Sequence, residues 1–238
     1  MVLLKVEGLK VEVEKKQIVN GVSFSLERGE NLVILGPNAS GKSSLANAIA
    51  GLPQYKIKEG RIIFNGIDVT YFSPEKRVKL GIVLAFQHPP AIRGVKFSSL
   101  LEKISKKRVN YFGFDYLKDR ELNVGFSGGE KKISELLQVL SLSPKLAILD
   151  EIDSGLDMKM VERIGEIVRE NLTEKNVATI LITHRGDILK TVKPDKVAVM
   201  LEGRIVCVSK NWKKILEVVK KYGYEKCKEC RECELLSS

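Results

Sequence analysis

The chain has 238 residues, room for one large domain or one domain with an inserted lobe, which leaves no place for a solenoid or a multidomain machine. With 44% hydrophobic and 29% charged residues it can bury a real core, so disorder of the whole chain is excluded. Forty Lys plus Arg against thirty Asp plus Glu leave a formal +10, which suits either an anionic partner or the Lys/Glu-rich surface of a heat-adapted protein.

No apolar run reaches the roughly 18 residues that span a bilayer, and Met1-Val-Leu-Leu-Lys5 lacks the parts of a secretory leader. The expectation is a cytoplasmic protein without membrane insertion. In chain order, alternating stretches at Leu3 to Val6, Lys10 to Glu14 and Gly21 to Leu26 read as an opening antiparallel sheet. Asn31 to Leu35 is a continuous apolar run, the pattern of a strand buried on both faces. A glycine-rich segment, Gly36 to Ser43, follows it and leads into a helix from Ser44 to Ala50.

Further apolar strands are expected at Ile82 to Phe86, Leu146 to Leu149, Ala178 to Ile182 and Val197 to Met200. Between two of them Val161, Ile164, Val168 and Leu172 recur at helical spacing. This is an α/β chain with a parallel core sheet. From Gln87 to Phe126 the pattern changes to short Lys- and Arg-rich amphipathic pieces, read as a small, mostly helical lobe inserted at about 88–126. Residues 1–222 form the single domain, and 223–238 are set aside as a cysteine-bearing tail.

Gly36-Pro37-Asn38-Ala39-Ser40-Gly41-Lys42-Ser43 matches the phosphate-binding pattern GxxxxGK[ST], and Ser44 continues it. The glycines let backbone N–H groups converge on phosphates, with the partial positive charge of the helix start behind them. Lys42 is placed to reach the β- and γ-phosphates and Ser43 to offer a hydroxyl to Mg²⁺. Asp150 and Glu151 follow the apolar strand Leu146 to Leu149, at the end of a parallel sheet where ligands bind. Asp150 suits Mg²⁺, and Glu151 suits orienting or deprotonating an attacking water.

The order of these motifs resembles the ATP-binding-cassette (ABC) ATPases, up to about Tyr222. Ser127-Gly128-Gly129-Glu130 looks like the family's signature, Ser154-Gly155-Leu156-Asp157 like its D-loop, Gln87 like its Q-loop glutamine and His184 like its switch histidine. The resemblance implies a P-loop NTPase fold of the ABC type, with a parallel core sheet, an antiparallel β subdomain and a short inserted α-helical lobe. It also implies an ATP-dependent homodimer in which the signature of one subunit faces the P-loop of the other. Gln87 would sense Mg²⁺ and the attacking water, and His184 would contact the γ-phosphate. Many members stack adenine on an aromatic residue of the opening sheet; here Val13 is the nearest candidate.

Three segments narrow the resemblance: Asn123 to Lys132, Asp150 to Asp157, and Ala85-Phe-Gln-His-Pro-Pro90. They are similar to the SufC-type ATPases of Suf iron–sulfur cluster assembly, which implies ATP-driven remodelling of a SufB/SufD-type scaffold. The alternative is the cytoplasmic ATPase subunit of an ABC transporter. A DNA-repair ATPase of the superfamily would need long coiled-coil insertions that this length does not hold, and nucleic acid is the less favoured partner. Cys227, Cys230 and Cys233 have the spacing of three ligands of a ferredoxin-type cluster, without its fourth cysteine, so iron, an iron–sulfur cluster or zinc is an added cofactor to test beside ATP and Mg²⁺. Cys207, inside an apolar strand, reads as a core residue. Residues 54–120 hold 14 Lys plus Arg and 6 Asp plus Glu, so the positive surplus is expected on the lobe, as a docking surface around Lys106, Lys107 and Arg108.

Overall fold

The computed structural model describes residues 1–105 and 108–229. The chain opens as a hairpin of β1 (Val2–Val13) and β2 (Lys16–Glu27), turning through Glu14 and Lys15, both at positive φ. Where the polar pattern divides β1 into two pieces, the structure has one strand. Gly8, at φ 55°, lets the pairing bulge between Val6 and Leu9 without ending it. β4 (Lys56–Phe64) and the short β5 (Ile67–Asp68) complete a four-stranded antiparallel sheet of order β2-β1-β4-β5.

The second sheet contains β3 (Asn31–Leu35), β6 (Ile82–Ala85), β7 (Leu146–Asp150), β8 (Ala178–Thr183) and β9 (Lys196–Leu201), all parallel to their neighbours. An antiparallel edge strand, β10 (Arg204–Ser209), gives the order β10-β9-β3-β8-β7-β6. Its continuous apolar runs follow from burial on both faces. Val33 and Leu35 pack into one core while Leu32 and Ile34 pack into the other, and β6 to β9 alternate the same way. Fully burying each such side chain contributes about 1.5–3 kcal/mol before chain entropy is subtracted.

The antiparallel sheet and α1 (Lys42–Ala50) cover one face, with α2 (Pro74–Leu80) beside them. The other face takes α3 (Phe97–Ile104), α4 (Gly128–Ser141), α5 (Met158–Val168), α6 (Leu189–Val192) and α7 (Trp212–Tyr222). Val161, Ile164, Val168 and Leu172 are all buried, as their spacing predicts, although α5 ends at Val168 and widens into a π turn, Arg169–Thr173.

The lobe is less helical than its pattern predicts. Among the described residues of 88–126 it holds one helix of eight residues, α3, and a 3-10 turn, Asp115–Leu117. Pro89-Pro90, Gly94 and Gly113 interrupt longer helices, and the lobe is held instead by edge-on contacts of Phe97 with Tyr111 and Phe126.

The basic residues of 54–120 are not confined to the lobe. Lys58 and Arg61 lie on β4 and pair with Glu12 and Glu7, Arg77 is internal, and in the lobe Lys118 and Arg120 pair with Asp115 and Glu130. Lys106 and Lys107 lie outside the described residues. Beyond α7 the chain does not simply leave as a tail: a 3-10 turn, Tyr224–Glu229, folds back on β9 and β10 and buries Cys227. Tyr224 and Cys227 supply apolar contacts that the charged composition of the stretch conceals.

Candidate functional site

β3 stops at Leu35 and α1 starts at Lys42, so six residues turn the chain from strand to helix. Gly36 is required by space, since a Cβ there would sit 2.2 Å from the Met200 carbonyl oxygen. Gly41 is required by conformation, with φ 100°. Lys42 is buried, and its ammonium donates to the carbonyls of Gly36 (2.9 Å) and Pro37 (2.7 Å), so the loop is shaped by its own lysine. Burial pushes this ammonium's pKa down, against the pull of Glu151 and Asp150. The Ser43 hydroxyl donates to Asp150 Oδ1 at 3.1 Å.

Asp150 ends β7 and is buried; burial raises its carboxyl to about 6, the Ser43 hydrogen bond opposes this, and Glu151 adds to it. Glu151 has φ 49°, sparsely populated for a non-glycine residue, and its N–H donates to the Ile182 carbonyl of β8. This fixed turn aims its carboxylate at two residues from other strand ends. Gln87 Nε2 donates to Glu151 Oε2 at 2.6 Å, and His184 Nδ1 lies 3.6 Å from Glu151 Oε1, beyond hydrogen-bond reach. That ring nitrogen is buried without a partner. Lys42, Ser43, Gln87, Glu151 and His184 line a cavity of about 610 Å³ with Asn38 to Gly41, Ser44 and Val13.

Sequence reasoning passed over several residues that complete this arrangement. Tyr55, in the turn after α1, lines the same cavity as Val13 and supplies an aromatic surface from an unexpected direction. Lys132 of α4 donates to the Gln87 carbonyl at 2.8 Å. Asp153 accepts from the Thr183 hydroxyl at 2.7 Å, tying the residue before His184 to the acidic segment. Asp153 carried a signal as a third acid within four residues, and Lys132 as the end of the segment Asn123 to Lys132.

The signature and D-loop stand apart from the cavity and touch each other. Ser127 caps α4 in a reciprocal box: Ser127 Oγ accepts from the Glu130 N–H, and Glu130 Oε2 accepts from the Ser127 N–H. Leu156 reaches Gly129, Asp157 caps α5, and the Ser154 hydroxyl donates to the Glu151 carbonyl. Ser127 and Gly128 are exposed, and neither lines the cavity.

The cysteine cluster receives no support as a metal centre. Cys227 is fully buried, Cys230 and Cys233 lie outside the described residues, and among the described residues no three His, Cys, Asp or Glu side chains converge as ligands would. Cys207 is buried in β10, as expected. Among the described residues no helix is long and apolar enough to cross a membrane.

A glycine-rich loop between a parallel strand and a helix, with an acidic pair at a neighbouring strand end, defines a P-loop nucleoside triphosphatase. Comparison with known proteins narrows this. Residues 19–154, more than half of the chain, match the family model described as ABC transporter. A probable ATP-dependent transporter, ycf16, of Antithamnion sp. is 40% identical over 246 aligned positions, covering 94% of this chain and 97% of its own. A probable ABC transporter ATP-binding protein of Streptococcus pyogenes serotype M18 is 37% identical, covering 87% and 88%. Among solved structures, a nucleotide-free ATP-binding cassette from an ABC transporter superposes with a TM-score of 0.80 at 26% identity, covering 95% of this chain and 98% of that one. The chain belongs to the ABC ATPase family: it has the ABC fold and is an ATP-binding, ATP-hydrolysing subunit.

Proposed function

We propose that this ATPase dimerises on ATP and uses the cycle to remodel a SufB/SufD-type scaffold in iron–sulfur cluster assembly. The carrying observation is that the three segments resembling Suf-type ATPases meet in space: Lys132 holds the Gln87 carbonyl, and Gln87 holds Glu151. In this reading Glu151 orients and deprotonates the attacking water, Gln87 and His184 place it against the γ-phosphate, and Lys42 neutralises the β- and γ-oxygens. The Ser43 hydroxyl and Asp150 carboxylate, with the Gln87 amide oxygen, are the hard oxygen donors that Mg²⁺ takes, and the bound ion supplies charge neutralisation on the phosphates. Ser127, Gly128, Gly129 and Glu130, away from the chain's own cavity and with the first two exposed, serve a second subunit's nucleotide, with Ser154 to Asp157 beside them.

Partner docking falls to an apolar groove of about 400 Å³ between the core and the lobe, lined by Val78, Phe86, Ile92 and Leu100. Phe86 is 41% exposed there and its chain neighbour is Gln87, so the groove and the water-positioning residue share one backbone segment. The same groove suits a membrane-embedded partner, and the relatives' transporter names favour that second reading. Affinity capture of the tagged protein from soluble and detergent-solubilised membrane fractions separates them. A soluble β-rich scaffold supports the first reading, and an integral membrane protein overturns it in favour of the second.

A further inference from the structure

His184 has a ring nitrogen with no partner, so its place is set by its backbone rather than by a hydrogen bond at that nitrogen. On one side that backbone is fixed by Thr183, which donates to Asp153 and accepts from the Arg185 N–H. On the other side the Tyr224 hydroxyl donates to the His184 carbonyl at 2.8 Å. The ring is partly buried against the core. Tyr224 opens the 3-10 turn that follows α7, with Cys227 one turn on as its buried anchor. A chain segment 40 residues beyond the histidine thus holds its backbone.

We propose that Tyr224 is a positioning residue for ATP hydrolysis: its hydroxyl holds the His184 carbonyl and so sets the placement of the imidazole on the γ-phosphate. This rests on the reading of His184 given above. Tyr224 does not line the nucleotide cavity, and a phenylalanine ring keeps its packing while removing the hydrogen bond to His184. A loop released on one side samples positions in which the ring no longer reaches the phosphate, which lowers kcat without disturbing the amides and lysine that bind ATP.

The test is a double-mutant cycle on the full chain, with Tyr224→Phe and His184→Ala alone and together, reading kcat and KM from phosphate release, Kd for ATP from fluorescent-nucleotide displacement, and melting temperature. Tyr224→Phe should lower kcat about five- to tenfold, change KM and Kd less than twofold, and have no further effect in the His184→Ala background. An unchanged kcat overturns the proposal, as does an equal loss in both backgrounds. A fall in kcat accompanied by lost ATP binding and a lower melting temperature makes the role structural and overturns it too. Full activity of His184→Ala alone overturns the reading of the histidine itself, which distinguishes that failure from a failure of Tyr224.

Discussion

The side-chain amide of Gln87 donates to the carboxylate of Glu151 at 2.6 Å, although the two residues are 64 positions apart and end different strands. One carboxylate oxygen is thereby oriented by the amide, and the other faces His184. Glu151→Gln keeps the shape and loses the base. It should bind ATP with unchanged affinity, form the ATP-dependent dimer by size-exclusion chromatography, and release phosphate at least ~100-fold more slowly. Undiminished turnover would refute the assigned role.

Lys42 links binding to loop shape, because its ammonium holds the Gly36 and Pro37 carbonyls. Lys42→Ala should weaken ATP binding itself, by at least ~10-fold in titration with a fluorescent analogue, as expected for losing a charge-assisted contact worth about 1.5–3 kcal/mol. Binding equal to the native chain would remove the lysine from the phosphate site.

Glu135 of α4 accepts the Phe86 N–H and lies buried beneath the segment that carries Gln87. Burial raises its carboxyl to about 6, with the Phe86, Gln138 and Lys132 interactions opposing. A carboxyl raised in the fold costs stability once ionised, so the cost is absent below about 4.5, grows through about 6 and is complete above it. At neutral pH it amounts to roughly 2 kcal/mol. Glu135→Gln keeps an acceptor for Phe86 and should melt higher than the native chain at pH 7.5, the two curves converging toward pH 4.5. A gap that widens toward acid would contradict this sign.

Arg77 is 1% exposed and donates to four carbonyls, those of Ala48, Ile49, Thr70 and Phe72. Two of these close the C-terminal turn of α1, the helix that starts at the phosphate loop. Arg77→Met fills the space but leaves the carbonyls unsatisfied, at a cost of about 3–5 kcal/mol. The melting temperature should fall by about 10 °C. A loss of only 1–2 °C would mean that the carbonyls find other donors.

What is legible in the chain's pattern is what is local. The apolar runs of β3, β7, β8 and β9 are legible because burial on both faces leaves no polar positions, and the phosphate loop is legible because its glycines answer constraints of space and φ within eight residues. The lobe's helices were overestimated because an amphipathic period in a short piece does not show that Pro and Gly will stop it. Tyr55, Arg77 and Tyr224 carry no motif, since each works through partners brought near only by folding.

The sequence by itself thus determined the class of sheet and the phosphate-loop pattern with its acidic pair, because these depend on side-chain chemistry at short spacing. Only the tertiary structure decided how those residues are held: Glu151 turned by a positive φ onto Gln87, and His184 tied through its carbonyl to Tyr224. Such bonds join positions tens of residues apart, and no local pattern encodes a contact whose geometry comes from the packing of the whole sheet.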